Sequence, residues 1–365
     1  MKFFTKNFPS EKQFKNFTIY NILRTRTEAS RADLTDIMKI NAVSISNYTN
    51  TLIKNGFLVE REMGASSGGR PPILLGLNNN KGFTLGLHIT KQEVSSVLMD
   101  MGMKVVRQFR GCIGEGSPAG SALKAVNDLT GTAETSKITG TALCADNVPA
   151  EALRDIENDF NGRYGDVYSV RPAFAAAFAE ITVERNNEEG EVLYSYGDLG
   201  ECVLAGKETV LTHEDRKGEH TQYLRPWGDE MGVASIARQM IAQGKGTMIL
   251  AEIKGEMGAI TPRVIFDAAE KNDTLASEIL EFAGINLGVR IAYLVNVFRP
   301  RAVIIGDEIR HAGEHFIGAL RHSLEKFAVK GLAGKTVVEY GITEDGYAAA
   351  AGAAALVIRE QIIGV

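Results

Sequence analysis

Apolar positions recur at helical spacing three times within the first eighty residues. Phe17, Ile19, Tyr20, Ile22 and Leu23 mark the first pattern, which ends near Arg26. The second opens at Ser30, a residue type that caps helix N-termini, with Asp33 near its start and Leu34, Ile37 and Met38 on its apolar side. The third runs from about Val43 to Asn55, with Val43, Ile45, Tyr48, Leu52 and Ile53 assigned inward and Gly56 as the stop. A strand-like run, Phe57 to Glu62, then leads through Gly64 to Pro72, rich in Gly and Ser, into a second strand from Ile73 to Leu77. The pattern predicts three short helices and a hairpin.

From Gly82 onward strand and helix patterns alternate, which argues for α/β architecture. Phe83 to Ile89 and Glu93 to Met99 read as strands, Lys137 to Leu143 as a strand and Ala150 to Phe160 as a helix. Ala173 to Glu180 is a small-residue helix suited to close packing. Ile265 to Glu270 and Leu275 to Val297 read as helices, Ala302 to Ile305 as a buried strand and Tyr347 to Glu360 as a closing small-residue helix. No internal repeat is legible.

The outer side of the third helix carries chemistry. Ser44, Ser46, Asn47, Asn50, Thr51 and Lys54 are small or polar and include no carboxylate, whereas a merely solvated face normally carries Glu as well as Lys. Amides, hydroxyls and cations reach base edges and phosphates in a major groove, and negative charge is excluded there. Arg31 and Lys39 add possible phosphate contacts from the second helix, and Arg70 at the Gly/Ser hairpin tip suits a wing on the backbone or minor groove. Charge agrees: residues 1–80 hold 11 Lys and Arg against 6 Asp and Glu, a net of +5 within a chain of net charge -5. The remainder is therefore near -10, so only the basic head is expected to meet a polyanion.

At 365 residues, 44% hydrophobic and 23% charged, the chain suits two or three compact units. It has no apolar run of membrane-spanning length and no signal-peptide core, so a cytoplasmic location away from membranes is expected. Cys112, Cys144 and Cys202 are far apart and unpaired by spacing, which predicts neither a disulfide framework nor a metal cluster.

The order helix, helix, helix, strand, wing, strand resembles the N-terminal domain of ROK-family transcriptional regulators of the repressor type. The resemblance is carried by Ser44 to Asn47, Leu52 to Val59 and, most sharply, the Gly69-Arg70-Pro71-Pro72 wing. The remaining residues resemble the family's kinase-like domain, best at 267–273, from Gly288 to Gly306, and at 348–356. The resemblance implies a winged helix-turn-helix over 1–80 followed by a two-lobed actin-like sugar-kinase fold. Its lobes are expected over 81–181 and 182–365, with the C-terminal helix packing back on the first lobe.

Catalytic members of the family offer a pattern against which each station can be read. The first phosphate loop, Asp-x-Gly-Gly-Thr there, is His88-Ile89-Thr90-Lys91-Gln92 here, without glycine or carboxylate. The catalytic segment, Glu-Asn-Asp-Ala-Asn there, is Val170-Arg171-Pro172-Ala173-Phe174, which sets Pro172 in the place of the base. The second phosphate loop keeps only Gly197 and Gly200, the zinc-binding cysteines are missing, and Asp307-Glu308 follow Gly306 where glycines are expected. A proline accepts no proton, so the resemblance implies a regulator and not an enzyme, with no cofactor and no metal. Its implied partners are an operator duplex, a sugar or sugar-phosphate effector and further copies of the chain, as homodimer or tetramer. Arg171, Glu219, His220 and Trp227 are the candidate effector contacts, with Trp227 as a stacking face for a sugar ring. Two alternatives stay open: a kinase drawing a carboxylate from Asp146, Asp166 or Asp198, and a DNA-binding protein without an effector.

Overall fold

The structure, a computed structural model, describes residues 2–3, 10–63, 72–113, 118–130, 137–186, 190–198, 200–206, 210–212, 220–344 and 346–365. The chain divides into two compact units. One comprises Met1–Asn186 with Tyr347–Val365, and the other Asn187–Gly346.

The first unit begins with a small head. Helix α1 (Glu11–Arg26) starts at a capping box in which Ser10 and Gln13 exchange side-chain and backbone bonds. Strand β2 (Glu28–Ser30) leads into α2 (Arg31–Met38), where Ser30 and Asp33 form a second capping box. Lys39 ends α2 in the left-handed region at φ 56°, and Asn41 caps α3 (Ala42–Lys54) by accepting the Ser44 N–H at 2.9 Å. Strands β3 (Leu58–Met63) and β4 (Ile73–Leu77) pair antiparallel, and β2 joins β4 to complete a three-stranded sheet. Ile19, Leu23, Leu34, Ile45, Leu52, Leu58 and Leu75 are buried in this head.

The rest of the unit is built on a six-stranded sheet. In chain order its strands are β1 (Lys2–Phe3), β5 (Phe83–Ile89), β6 (Glu93–Asp100), β7 (Val105–Cys112), β8 (Ile138–Ala145) and β9 (Asp166–Ser169). Their spatial order is β1-β9-β8-β5-β6-β7. One face is covered by α4 (Pro118–Leu129) and α5 (Ala150–Phe160), through Ala122, Val126, Ile156 and Phe160. On the opposite face packs α11 (Ala348–Ile363), which meets β5, β8, β6 and α6 (Pro172–Phe178). Its small residues let backbones approach closely. A Cβ on Gly86 would lie 1.9 Å from the Ala350 carbonyl oxygen, and one on Gly352 would lie 1.7 Å from that of Ala175. Beyond α6 the chain continues as a π-helical turn, Ala179–Glu184.

Helix α1 fastens the head to this body. The Tyr20 hydroxyl donates to the Met101 carbonyl at 2.8 Å, Arg24 to the Thr182 carbonyl at 2.6 Å, and the Asn16 amide to the Val365 carbonyl at 3.3 Å.

The second unit carries a five-stranded sheet ordered β12-β11-β10-β13-β14, from β10 (Val192–Tyr196), β11 (Glu201–Ala205), β12 (Val210–Leu211), β13 (Ala302–Ile305) and β14 (Val337–Tyr340). Helices α7 (Val233–Ala242), α8 (Pro262–Glu270), α9 (Thr274–Phe298) and α10 (Gly313–Phe327) supply its core, with Ile265, Ile279, Leu287, Ile291, Phe316 and Leu320 buried. Apart from β1, which adds parallel to β9 at the edge of the first, the two sheets share one topology. In each, three strands form an antiparallel meander and two more add parallel to the first of them: β7-β6-β5-β8-β9 and β12-β11-β10-β13-β14. No repeat was legible in the sequence because the duplication lies in strand order and direction, which many different apolar runs satisfy.

Candidate nucleic-acid interface

Ile45 and Leu52 are fully buried and set the rotation of α3 about its own axis. Residues seven apart on a helix nearly superpose, and those two apart diverge by about 200°. Val43 therefore points away from the core and is 72% exposed, which corrects its inward assignment. Tyr48 and Ile53 are only half-buried, whereas Thr49, which the apolar pattern passed over, is fully buried with its hydroxyl bonded to the Ile45 carbonyl at 2.9 Å. Ile37 on α2 is likewise exposed and not part of the head's core.

Opposite Ile45 and Leu52 stands a row at spacings of four, three and four: Val43, Asn47, Asn50 and Lys54, all exposed. Ser44 and Ser46 flank it half-buried, as does Thr51, whose hydroxyl donates to the Asn47 carbonyl at 2.9 Å. The row holds no carboxylate.

Arg31, half-buried at the start of α2, reaches across to this helix. Its Nε donates to Thr49 Oγ1 at 3.2 Å, and one terminal nitrogen donates to Asn50 Oδ1 at 3.1 Å and Glu60 Oε1 at 3.0 Å. A guanidinium only donates, so the Asn50 amide must turn its oxygen to Arg31 and its nitrogen outward. Lys39 is exposed at the turn between α2 and α3. Arg70 and the rest of the hairpin tip lie outside the described residues.

The kinase-pattern stations hold structural bonds. His88, near the end of β5, places Nε2 2.9 Å from Asp146 Oδ2, just past the end of neighbouring β8. Pro172 is the first residue of α6, where its missing N–H leaves no helix bond unmade, and Arg171 is the N-cap. Asp198 accepts the Val233 N–H at 3.1 Å at the start of α7, and Asp166 opens β9 with its side chain exposed. Gly306 is needed for packing, since a Cβ there would fall 1.9 Å from the Tyr194 hydroxyl oxygen. Asp307 takes φ 59°.

Of the candidate effector contacts, Arg171 belongs to the first unit and Trp227 to the second. Trp227 is half-buried, and the Arg290 guanidinium lies 5.4 Å from its ring centroid. Arg290 is itself buried and donates to the carbonyls of Gly200 at 2.6 Å, Tyr223 at 3.2 Å and Arg225. His220 opens a short 3-10 turn, His220–Leu224; its side chain and all of Glu219 lie outside the described residues. Among the described residues no three of His, Cys, Asp or Glu are grouped to hold a metal ion, and no helix is long and apolar enough to cross a membrane.

Residues 239–360 match the ROK family sequence model. The chain is 24% identical over 359 residues to a putative xylose repressor of Caldicellulosiruptor sp. (strain Rt8B.4), covering 87% of this chain and 88% of that one. It is 22% identical over 391 residues to the DNA-binding transcriptional dual regulator NagC of Escherichia coli (strain K12), covering 97% and 94%. A crystal structure of a ROK family transcriptional regulator, a homologue of the E. coli MLC protein, superposes with a TM-score of 0.72 at 19% identity, over 97% of each chain. A ROK family glucokinase from Streptomyces griseus, solved with glucose and AMPPNP, superposes with a TM-score of 0.58 at 16% identity, over 75% of this chain and 99% of that one. The fold is thus one that both transcriptional regulators and sugar kinases use.

Proposed function

For a chain that carries a ROK family domain, we propose the function of a sequence-specific DNA-binding regulator of carbohydrate-utilisation genes. The observation that carries this is the exposed α3 row of two amides and a lysine, free of carboxylates, on a helix anchored by Ile45 and Leu52. A neutral-to-positive hydrogen-bonding face suits base edges and phosphates, and helix capping and packing hold it ready before DNA arrives. Asn47, Asn50 and Lys54 face the groove, Ser44 and Ser46 flank them, and Lys39 and Arg70 serve the backbone. Arg31 contributes mainly by holding Asn50 and tying α2 to β3.

The kinase-like body acts without phosphoryl transfer. Pro172 opens α6 where catalytic relatives place the base, and Asp198, a conceivable substitute, is committed to the first N–H of α7. Its roles are effector binding, with Arg171, Glu219, His220 and Trp227 as candidate contacts to a sugar or sugar phosphate, and assembly with a second copy. Single winged helices read short half-sites, so two heads on a symmetric duplex are needed. Supporting a place for the second copy, Phe282, Ile285, Val289 and Tyr293 form an exposed apolar stripe along α9, with Tyr223 edge-on to Tyr293 at 5.2 Å. A two-fold crossing of this stripe would cover the same residues on both copies.

Thermal-shift titration of the full chain against sugars, sugar phosphates and ATP-Mg²⁺, alongside an ATP-turnover assay, tests the division of roles. Stabilisation by one sugar class with no ATP turnover is expected. Phosphorylation of a sugar at an enzymatic rate would overturn the non-catalytic reading.

A further inference from the structure

The α3 row is polar at three of its four positions, and the exception stands first. Val43 is the most exposed large hydrophobic residue among those described, on the first turn of the helix and one turn before Asn47. A lone exposed valine is ordinary on a protein surface. Here its place sets it apart, because nothing in local stability favours it. A β-branched residue forms helix less readily than Ala, and a first turn favours acidic or capping residues. The cap is already supplied by Asn41, and Val43 is 72% exposed on the side of α3 opposite Ile45 and Leu52.

The major groove of DNA presents donors and acceptors at every base pair but only one apolar group, the 5-methyl of thymine. Recognition helices of helix-turn-helix heads meet base edges with their N-terminal residues. We propose that Val43 is a specificity-determining residue that packs its methyl groups on a thymine 5-methyl, so each half-site carries a thymine read by shape and not by hydrogen bonds. Val43 and Asn47 are four residues apart, about 6 Å along the helix, so that thymine lies about two base steps from the base met by Asn47. The inference rests on the DNA-binding reading above and adds the identity of one base to it.

The test uses the full chain. Half-sites are first selected from a random duplex library. Each thymine of the selected duplex is then replaced by deoxyuridine, which removes the methyl and nothing else, and affinities are measured by fluorescence anisotropy. One thymine per half-site is expected to be methyl-sensitive, with a loss of about fourfold per half-site, the equivalent of one buried methylene. In Val43→Ala that sensitivity vanishes: thymine and deoxyuridine duplexes bind alike. Val43 is exposed and Ala is the better helix former, so the variant should fold, and circular dichroism checks this. Three results would overturn the proposal: sensitivity persisting in Val43→Ala with affinity unchanged, no methyl-sensitive thymine in duplexes that bind selectively, or sensitivity persisting while both duplexes weaken equally in the variant. The last would place Val43 against another protein surface. Failure of the underlying reading looks different, since no duplex sequence would then be enriched at all.

Discussion

Replacing Arg31 by Met separates two roles for a cation beside a recognition helix: support of the protein and contact with phosphate. Arg31→Met keeps much of the apolar stem and removes bonds to Thr49, Asn50 and Glu60 at 3.2, 3.1 and 3.0 Å. The Glu60 pair joins side chains that are 27% and 46% exposed, so solvent screening limits it to about 0.5 kcal/mol. The bonds to Thr49 and Asn50 are worth roughly 0.5–1 kcal/mol each, because both exchange with water on unfolding. The sum, about 2 kcal/mol, corresponds to a fall in Tm of roughly 4–8 °C if the first unit melts cooperatively. The companion measurement is the slope of log Kd against log salt for a selected duplex. A supporting arginine leaves that slope unchanged, whereas Lys39→Met, at an exposed position assigned to the backbone, lowers it by about 0.9 per head with Tm preserved. A drop of about 0.9 in the slope for Arg31→Met with an unchanged Tm would refute the reasoning and make Arg31 a phosphate ligand.

Other perturbations reach the fold and its chemistry. The Ser30 N–H and hydroxyl hold the Asp33 carboxylate below its usual range, so its stabilisation is present above the unfolded carboxylate range and is lost as pH falls through the lowered folded value. Asp33 is exposed, so solvent screening limits the cost of Asp33→Asn to about 0.5 kcal/mol at pH 7 in urea melts, and the gap from wild type should close on acidification. Gly352→Ala forces a Cβ against the Ala175 carbonyl and is expected to cost about 3 kcal/mol, whereas Gly318→Ala, whose Cβ meets only the Glu314 carboxylate at 3.4 Å, should be neutral or gain up to about 1 kcal/mol; urea midpoints compare them. Burial pushes the Cys144 and Cys202 thiols up while Cys112 is exposed, so the native protein should release one equivalent of chromophore with a thiol reagent and the unfolded protein three.

The elements that could be read from the sequence are those with local signatures. Capping at Ser30, the stop at Gly56, the helix Ala150–Phe160 and the strand Ala302–Ile305 are set by neighbours in the chain, and the structure has them where expected. Helix α10 escaped because it starts at Gly313 without a side-chain cap and carries Gly318 within it, a pattern that argues against a helix locally. Val43 was misplaced by counting apolar residues when the rotation of α3 is set by Ile45 and Leu52 and completed by Thr49.

Long-range features left still less trace. The fastening of α1 to the body depends on Tyr20, Arg24 and Asn16 meeting carbonyls that are 81, 158 and 349 residues away. The Arg31–Asn50 bond, the His88–Asp146 pair and the stacking of Arg290 near Trp227 likewise join residues that no spacing rule connects. The exposed polar row of α3 was legible because its signal is an absence of carboxylates on one side of a helix, which composition and periodicity together display. The expectation of a sugar effector came from resemblance; among the described residues of the body only Trp227 suggested a ligand on physical grounds, as a stacking face.

The central claim is that the α3 row reads DNA, and a direct test compares the full chain with an Asn47→Glu, Lys54→Glu double variant on a selected duplex. Both positions are exposed, so the variant should keep its fold and melting temperature while facing the phosphates with two carboxylates. Fluorescence anisotropy at 150 mM salt should show selective binding by the wild type and a loss of at least roughly 100-fold in the variant, by analogy with like-charge juxtaposition at interfaces. Equal binding by the two proteins would contradict the account and place the DNA-binding surface elsewhere on the chain.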